Sequence, residues 1–201
     1  YKARLIDTVF PKEPLHTFQI HTNCLYVSFT HNTTGFFSEA TKYTDTFTKH
    51  MKKEGDKAPP LTLQNVHGEE INIDTQRPCV LYFYPKAGTP GCTTEAKAFS
   101  ETYPEFNDIG VPVYGVSPDS VEDVCSFQDD HGFKHELLAD PKNNAAETYG
   151  VWGKKQMFGN EYYGVTRSTF LLDEGTVVKA WKHKPDKTEQ QVLQATKNHV
   201  Q

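Results

Sequence analysis

Six consecutive apolar residues, Cys79 to Tyr84 (CVLYFY), closed by Pro85, form the longest uninterrupted apolar run in the 201-residue chain. A run with no polar alternation suits a strand covered on both faces, and proline, which cannot donate to a ladder, ends it. Covering both faces takes helices, so the run points to an α/β fold. It falls far short of the roughly 20 apolar residues of a spanning helix, and no signal-like apolar stretch precedes it. No membrane insertion is expected.

The surrounding pattern agrees. Leu61-Thr62-Leu63 and Ile71-Asn72-Ile73 alternate about the turn Asn65-Val66-His67-Gly68, which predicts a short hairpin. Cys92 to Ile109 has helical spacing in Ala96, Phe99 and Phe106, with a kink or break expected at Pro104. Val111–Val116 reads as a strand, Asp119–His131 as a helix closed by Gly132, Leu137–Ala139 as a strand and Asn144–Tyr149 as a short helix. Thr169–Leu172 and Thr176–Trp181 form a strand pair around Asp173-Glu174-Gly175, and Lys187–Val200 a final helix. The expected architecture is a central mixed β-sheet flanked by helices.

The first 50 residues differ. They carry five basic and four acidic residues, leaving 16 basic and 22 acidic for residues 51–201 out of totals of 21 and 26. Only Cys24–Phe29 alternates like a strand, and Met51 followed by Lys52-Lys53-Glu54-Gly55-Asp56 reads like a natural start. Residues 1–50 are therefore read as an atypical leader or extension, dispensable for chemistry, and residues 51–201 as the working domain.

A formal charge of -5 disfavours a nucleic-acid backbone as partner. Gly88 and Gly91 lie in a loop without a phosphate-binding pattern. The four cysteines, Cys24, Cys79, Cys92 and Cys125, contain no CxxC, and the histidines lack metal-ligand spacing, so neither a disulfide scaffold nor a structural zinc site is indicated. No cofactor and no metal are expected. An intracellular protein fits this thiol usage.

Cys92 has the most informative setting. It follows the strand that Pro85 ends, at the carboxyl side where open α/β sheets bind ligands, and Pro90-Gly91 turns the chain into a helix just before it. First-turn amides and the positive helix end favour thiolate over thiol. Position alone leaves two readings open: a reactive thiol, or a buried cysteine acting as a small hydrophobe.

Pro85, Thr89 and Cys92 form P-x-x-x-T-x-x-C, continued by Thr93-Thr94-Glu95; Gly164 to Asp173 and Tyr149 to Gly153 are further familiar stretches. In these the chain, from about Gly55 to its end, resembles the peroxiredoxins of the bacterioferritin comigratory protein or peroxiredoxin Q group. The resemblance implies a thioredoxin-like fold and a thiol-dependent peroxidase acting on hydrogen peroxide and organic hydroperoxides. Cys92 would be the peroxidatic cysteine, oxidised to a sulfenic acid; Arg167 would favour its thiolate; Thr89 would position the peroxide; Pro85 would shield the pocket; Glu95 would orient Arg167.

In part of that group a resolving cysteine stands five residues after the peroxidatic one, where this chain has Lys97. Cys125, in the next long helix, can inherit the role, although the familiar register falls nearer Gln128. Thioredoxin or glutaredoxin would be the reductant, and a monomer is implied. The cytoplasm is expected, or an organelle if residues 1–50 are a targeting remnant. A redox-regulated binding or chaperone-like protein on the same fold is the rival reading; it would react with peroxide at most once.

Overall fold

The strand read from CVLYFY is the middle of the molecule. The computed structural model describes residues 50–157, 159–182 and 188–201. The strand expected at Cys24–Phe29 and the leader before residue 50 lie outside these residues. In chain order the elements are β1 (Leu61–Asn65), β2 (Glu70–Ile73), β3 (Cys79–Phe83), α1 (Pro90–Asp108), β4 (Val113–Ser117), α2 (Val121–His131), β5 (Glu136–Ala139), α3 (Asn144–Thr148), β6 (Trp152–Met157), β7 (Asn160–Val165), β8 (Ser168–Asp173), β9 (Thr176–Lys182) and α4 (Thr188–Val200).

Seven strands form one mixed sheet in the order β2-β1-β5-β4-β3-β8-β9, with β3, β4 and β5 parallel and their outer neighbours antiparallel. Every residue of β3 is buried. The pleat sends alternate side chains to opposite faces: Val80 and Tyr82 join the cluster of Phe99, Phe106, Val124 and Val192 under α1, α2 and α4. Cys79, Leu81 and Phe83 join Ala146, Tyr149 and Phe170 on the α3 side. Gly115 of β4 is needed where the Tyr82 ring crosses it, because a Cβ there would lie 2.5 Å from the ring.

Helix α1 runs through Pro104 without the expected break. Proline removes one backbone bond, while Ala96, Phe99 and Phe106, all 0% exposed, hold both halves of the helix on the sheet. Burying each such phenylalanine contributes about 1.5–3 kcal/mol, which offsets the lost bond. Ser120 caps α2 by accepting from the Asp123 N–H, and Gly132, at φ 60°, closes it in the left-handed conformation.

The sequence gives no warning of the β6–β7 hairpin. Its second strand faces solvent over most of its length, so no apolar alternation marks it. The hairpin pairs Trp152 with Val165 and feeds directly into β8. At the other end, the Lys52 N–H donates to the Tyr149 carbonyl at 3.0 Å, tying the start of the domain to the end of α3.

Candidate active site

Cys92 is the third residue of α1, after the N-cap Thr89, Pro90 and Gly91. The first helical bond runs from the Thr93 N–H to the Thr89 carbonyl at 2.9 Å, so the Gly91 and Cys92 amides precede the ladder. Thr89 makes no side-chain cap. Its hydroxyl instead donates to the Lys86 carbonyl at 3.0 Å, folding the loop that starts at Pro85 back on itself. Pro85 stands half-buried directly after the central strand.

Sheet register delivers the cation. In the antiparallel pairing of β3 with β8, Phe83 faces Ser168. One step outward, Arg167 lies beside the strand end from which the chain turns toward Cys92. Arg167 Nη2 is 3.1 Å from Cys92 Sγ, and Nη1 donates to Glu95 Oε2. Cys92 and Glu95 are both 0% exposed. The three form a buried carboxyl–guanidinium–thiol cluster in which one planar guanidinium spans the carboxyl oxygen and the sulfur.

Charges in that cluster depend on each other. Burial pushes the Glu95 carboxyl up, Arg167 pulls it back by charge and hydrogen bond, and Glu189 of α4 adds to the rise, leaving it at about 8. Burial works against the Arg167 charge, but Glu95 and Cys92 outweigh it and raise the pKa above the ordinary arginine value. Lys155, whose ammonium donates to the Val165 carbonyl, is lowered by burial first and then by Arg167 and Lys182.

The structure brings Cys92, Glu95 and Arg167 into direct contact and puts Thr89 and Pro85 on the loop that leads in. Cys125 stands elsewhere. Val124 and Phe127 of α2 pack in the same cluster as Cys92. At about 100° per residue, Cys125 points about 100° round the helix from Val124 and about 160° from Phe127. It is 3% exposed and disulfide-bonded, whereas Cys92 and Cys79 are free thiols. Sequence reasoning also passed over Asp119. It accepts from the Ala87 N–H at 2.6 Å and from the Ser117 hydroxyl, and the Ser-Pro-Asp-Ser turn around it was the available signal.

The chain is similar to known proteins. The AhpC/TSA family matches residues 54–180. Peroxiredoxin Bcp of Bacillus subtilis is 44% identical over 131 residues, covering 64% of this chain and 83% of the relative. Peroxiredoxin Bcp of Escherichia coli K12 is 41% identical over 123 residues, covering 60% and 79%. Among solved structures, Xanthomonas campestris peroxiredoxin Q superposes with a TM-score of 0.66 at 38% identity, covering 70% of this chain and 92% of that one. Xylella fastidiosa PrxQ gives 0.68 at 33%, covering 76% and 99%. With the family match spanning most of the described domain, the chain belongs to the AhpC/TSA family, among the thiol-dependent peroxidases of its Bcp and peroxiredoxin Q peroxiredoxins.

Proposed function

We propose that Cys92 is the peroxidatic cysteine of this thiol-dependent peroxidase, and that residues 51–201 form its catalytic unit. The observation that carries the reading is the guanidinium of Arg167 shared between Cys92 Sγ and Glu95. The Cys92 thiolate attacks the terminal oxygen of a hydroperoxide; an S–O bond forms, the O–O bond breaks, and the product is a sulfenic acid plus an alkoxide that takes a proton and leaves as alcohol, or as water from hydrogen peroxide. Arg167 stabilises both the attacking sulfur and the charge growing on the leaving oxygen. Because the Thr89 hydrogen is given to the Lys86 carbonyl, its oxygen lone pairs are left to accept from the peroxide O–H. Pro85 covers the reacting atoms, and Glu95 sets the plane of the guanidinium.

Resolution is assigned to Cys125 in its reduced form. Its thiol attacks the sulfenic sulfur, a disulfide forms and water leaves; a thioredoxin-type or glutaredoxin dithiol then reduces that disulfide. Cys125 faces away from the Cys92 cluster, so α2 or the first turn of α1 must unwind before Cα atoms come within about 7 Å. The unit is proposed to work as a monomer in a reducing intracellular compartment where such donors operate.

Adding one equivalent of hydrogen peroxide to reduced protein tests the reading. Peptide mapping is expected to recover a Cys92–Cys125 disulfide on monomeric protein. Cys125→Ser should leave the first oxidation within about twofold of the parent, lower donor-supported turnover, and let the sulfenic acid persist to be trapped or over-oxidised. Normal turnover of Cys125→Ser would instead assign a one-cysteine cycle with an external thiol. A single oxidation with no turnover under any donor would favour the redox-regulated binding protein.

A further inference from the structure

We propose that Asp119 is a positioning residue for peroxide reduction, acting on Thr89 through a single peptide unit. The peptide joining Lys86 to Ala87 is gripped at both ends. Its N–H, on Ala87, donates to Asp119 Oδ2 at 2.6 Å, and its carbonyl, on Lys86, accepts the Thr89 hydroxyl at 3.0 Å. A peptide plane is rigid, so fixing its N–H direction fixes where its carbonyl points. A carboxylate on the N–H also polarises the unit and makes the carbonyl a stronger acceptor, because linked hydrogen bonds reinforce each other. Asp119 therefore sets the direction in which the Thr89 hydrogen is held, and with it the direction of the lone pairs left for substrate.

Asp119 is itself held in place. The Ser117 hydroxyl, 1% exposed at the end of β4, donates to the same carboxylate oxygen, and the Asp119 N–H returns a bond to Ser117 Oγ at 3.2 Å. The β4–α2 turn is thus a fixed post outside the Cys92–Arg167–Glu95 cluster. It touches neither the sulfur nor the guanidinium through any of these bonds, so its loss should affect how peroxide is seated without changing how Cys92 is charged. A plain loop-stabilising role would predict the reverse, a general loosening felt by every reaction of the loop.

The inference rests on the roles proposed for Cys92 and Thr89, and a double-mutant cycle tests it. The second-order rate of Cys92 sulfenic acid formation with hydrogen peroxide is measured for the parent, Asp119→Ala, Thr89→Val and the double variant. Peroxide-independent alkylation of Cys92 by iodoacetamide is followed across pH. Asp119→Ala is expected to slow oxidation about tenfold, the size of one charge-assisted hydrogen bond acting through an intermediary. In Thr89→Val it should add less than about twofold, since the hydroxyl it directs is gone. Asp119→Asn, which keeps an oxygen acceptor and the turn, should recover most of the rate. The alkylation profile should match the parent throughout. An equal loss from Asp119→Ala with or without Thr89, or an alkylation profile that moves with it, overturns the inference, as does an unchanged oxidation rate. If the parent itself forms no sulfenic acid at Cys92, the peroxidase assignment of that thiol fails first.

Discussion

Cys92 and Cys79 are hidden to the same degree, 0% and 1% exposed, on opposite faces of the same sheet. Burial alone would make both inert, since removing the charge of a thiolate from water is costly. For Cys79 nothing compensates. Burial pushes its thiol up to about 12, and Asp74 and Asp173 add to the effect by charge. Cys92 stands instead at the start of a helix with a guanidinium nitrogen 3.1 Å from its sulfur. Two thiols thirteen residues apart in sequence therefore stand in different electrostatic surroundings, one meeting a cation across the sheet and the other carboxylates.

The largest expected effect comes from removing that cation. Arg167→Lys keeps the charge but cannot hold Glu95 and the sulfur together, so Cys92 oxidation should fall about 100-fold with the fold retained. Arg167→Ala should fall further, to near the level of Cys92→Ser. Alkylation of Cys92 at neutral pH should slow with it, because the cation beside the sulfur is gone. The protein should still fold, because Glu95, pushed up to about 8 even with the arginine present, stays a neutral acid at pH 7 and leaves no uncompensated buried charge. Near-parental rates in Arg167→Lys, read by stopped-flow oxidation alongside circular dichroism, would show that a point charge is enough.

Most of the frame that separates these thiols is legible in the chain. The run CVLYFY, the closing Pro85, and Thr89 and Cys92 beyond it are local, and each marks its element by residue type. Arg167 is different. As a single residue it looks like any surface arginine, and only the pairing of Phe83 with Ser168 brings it to the sulfur across 75 positions. Asp119 reaches Ala87 across 32 positions in the same non-local way. The β6–β7 hairpin escapes for another reason: Tyr162 and Tyr163 are 44% and 65% exposed, so its outer strand buries too little to impose alternation. Helical period places Cys125 in α2 correctly, but its direction depends on which stripe of the helix meets the sheet. Val124 and Phe127, larger and more apolar, take that stripe.

A smaller effect separates the charge of the cluster from its geometry. Glu95→Gln retains an acceptor for Arg167 Nη1 but carries no charge. Above pH 8, where the Glu95 carboxyl ionises, Cys92 oxidation should fall about tenfold as the guanidinium loses its charged anchor. Alkylation of Cys92 should not slow, because Arg167 and its charge stay beside the sulfur. Falling together, as in Arg167→Ala, the two readouts would show that Glu95 supports the charge on sulfur rather than the direction of the arginine.

The smallest effect on catalysis belongs to Cys79→Ala, and it is informative through stability. Peroxide oxidation of Cys92 should stay within about twofold of the parent, since the sulfur of Cys79 lies on the other face of the sheet. Removing one packed sulfur should cost about 1 kcal/mol at pH 7, a mild large-to-small change in a closed site. That deficit should shrink with pH in a defined window. The unfolded thiol ionises near 9.0 and the folded one only near about 12. Above 9 the unfolded chain loses a proton that the folded chain keeps, so Cys79 stabilises the fold fully below that value and less as pH rises toward 12. Through this thiol each pH unit in between removes about 1.4 kcal/mol from the parent and nothing from the alanine variant. Urea melts at pH 7, 9 and 10.5 should therefore show the parent first more stable than Cys79→Ala and then less so. A constant difference across the three would mean that Cys79 ionises as freely folded as unfolded, and the contrast with Cys92 would lose its electrostatic basis.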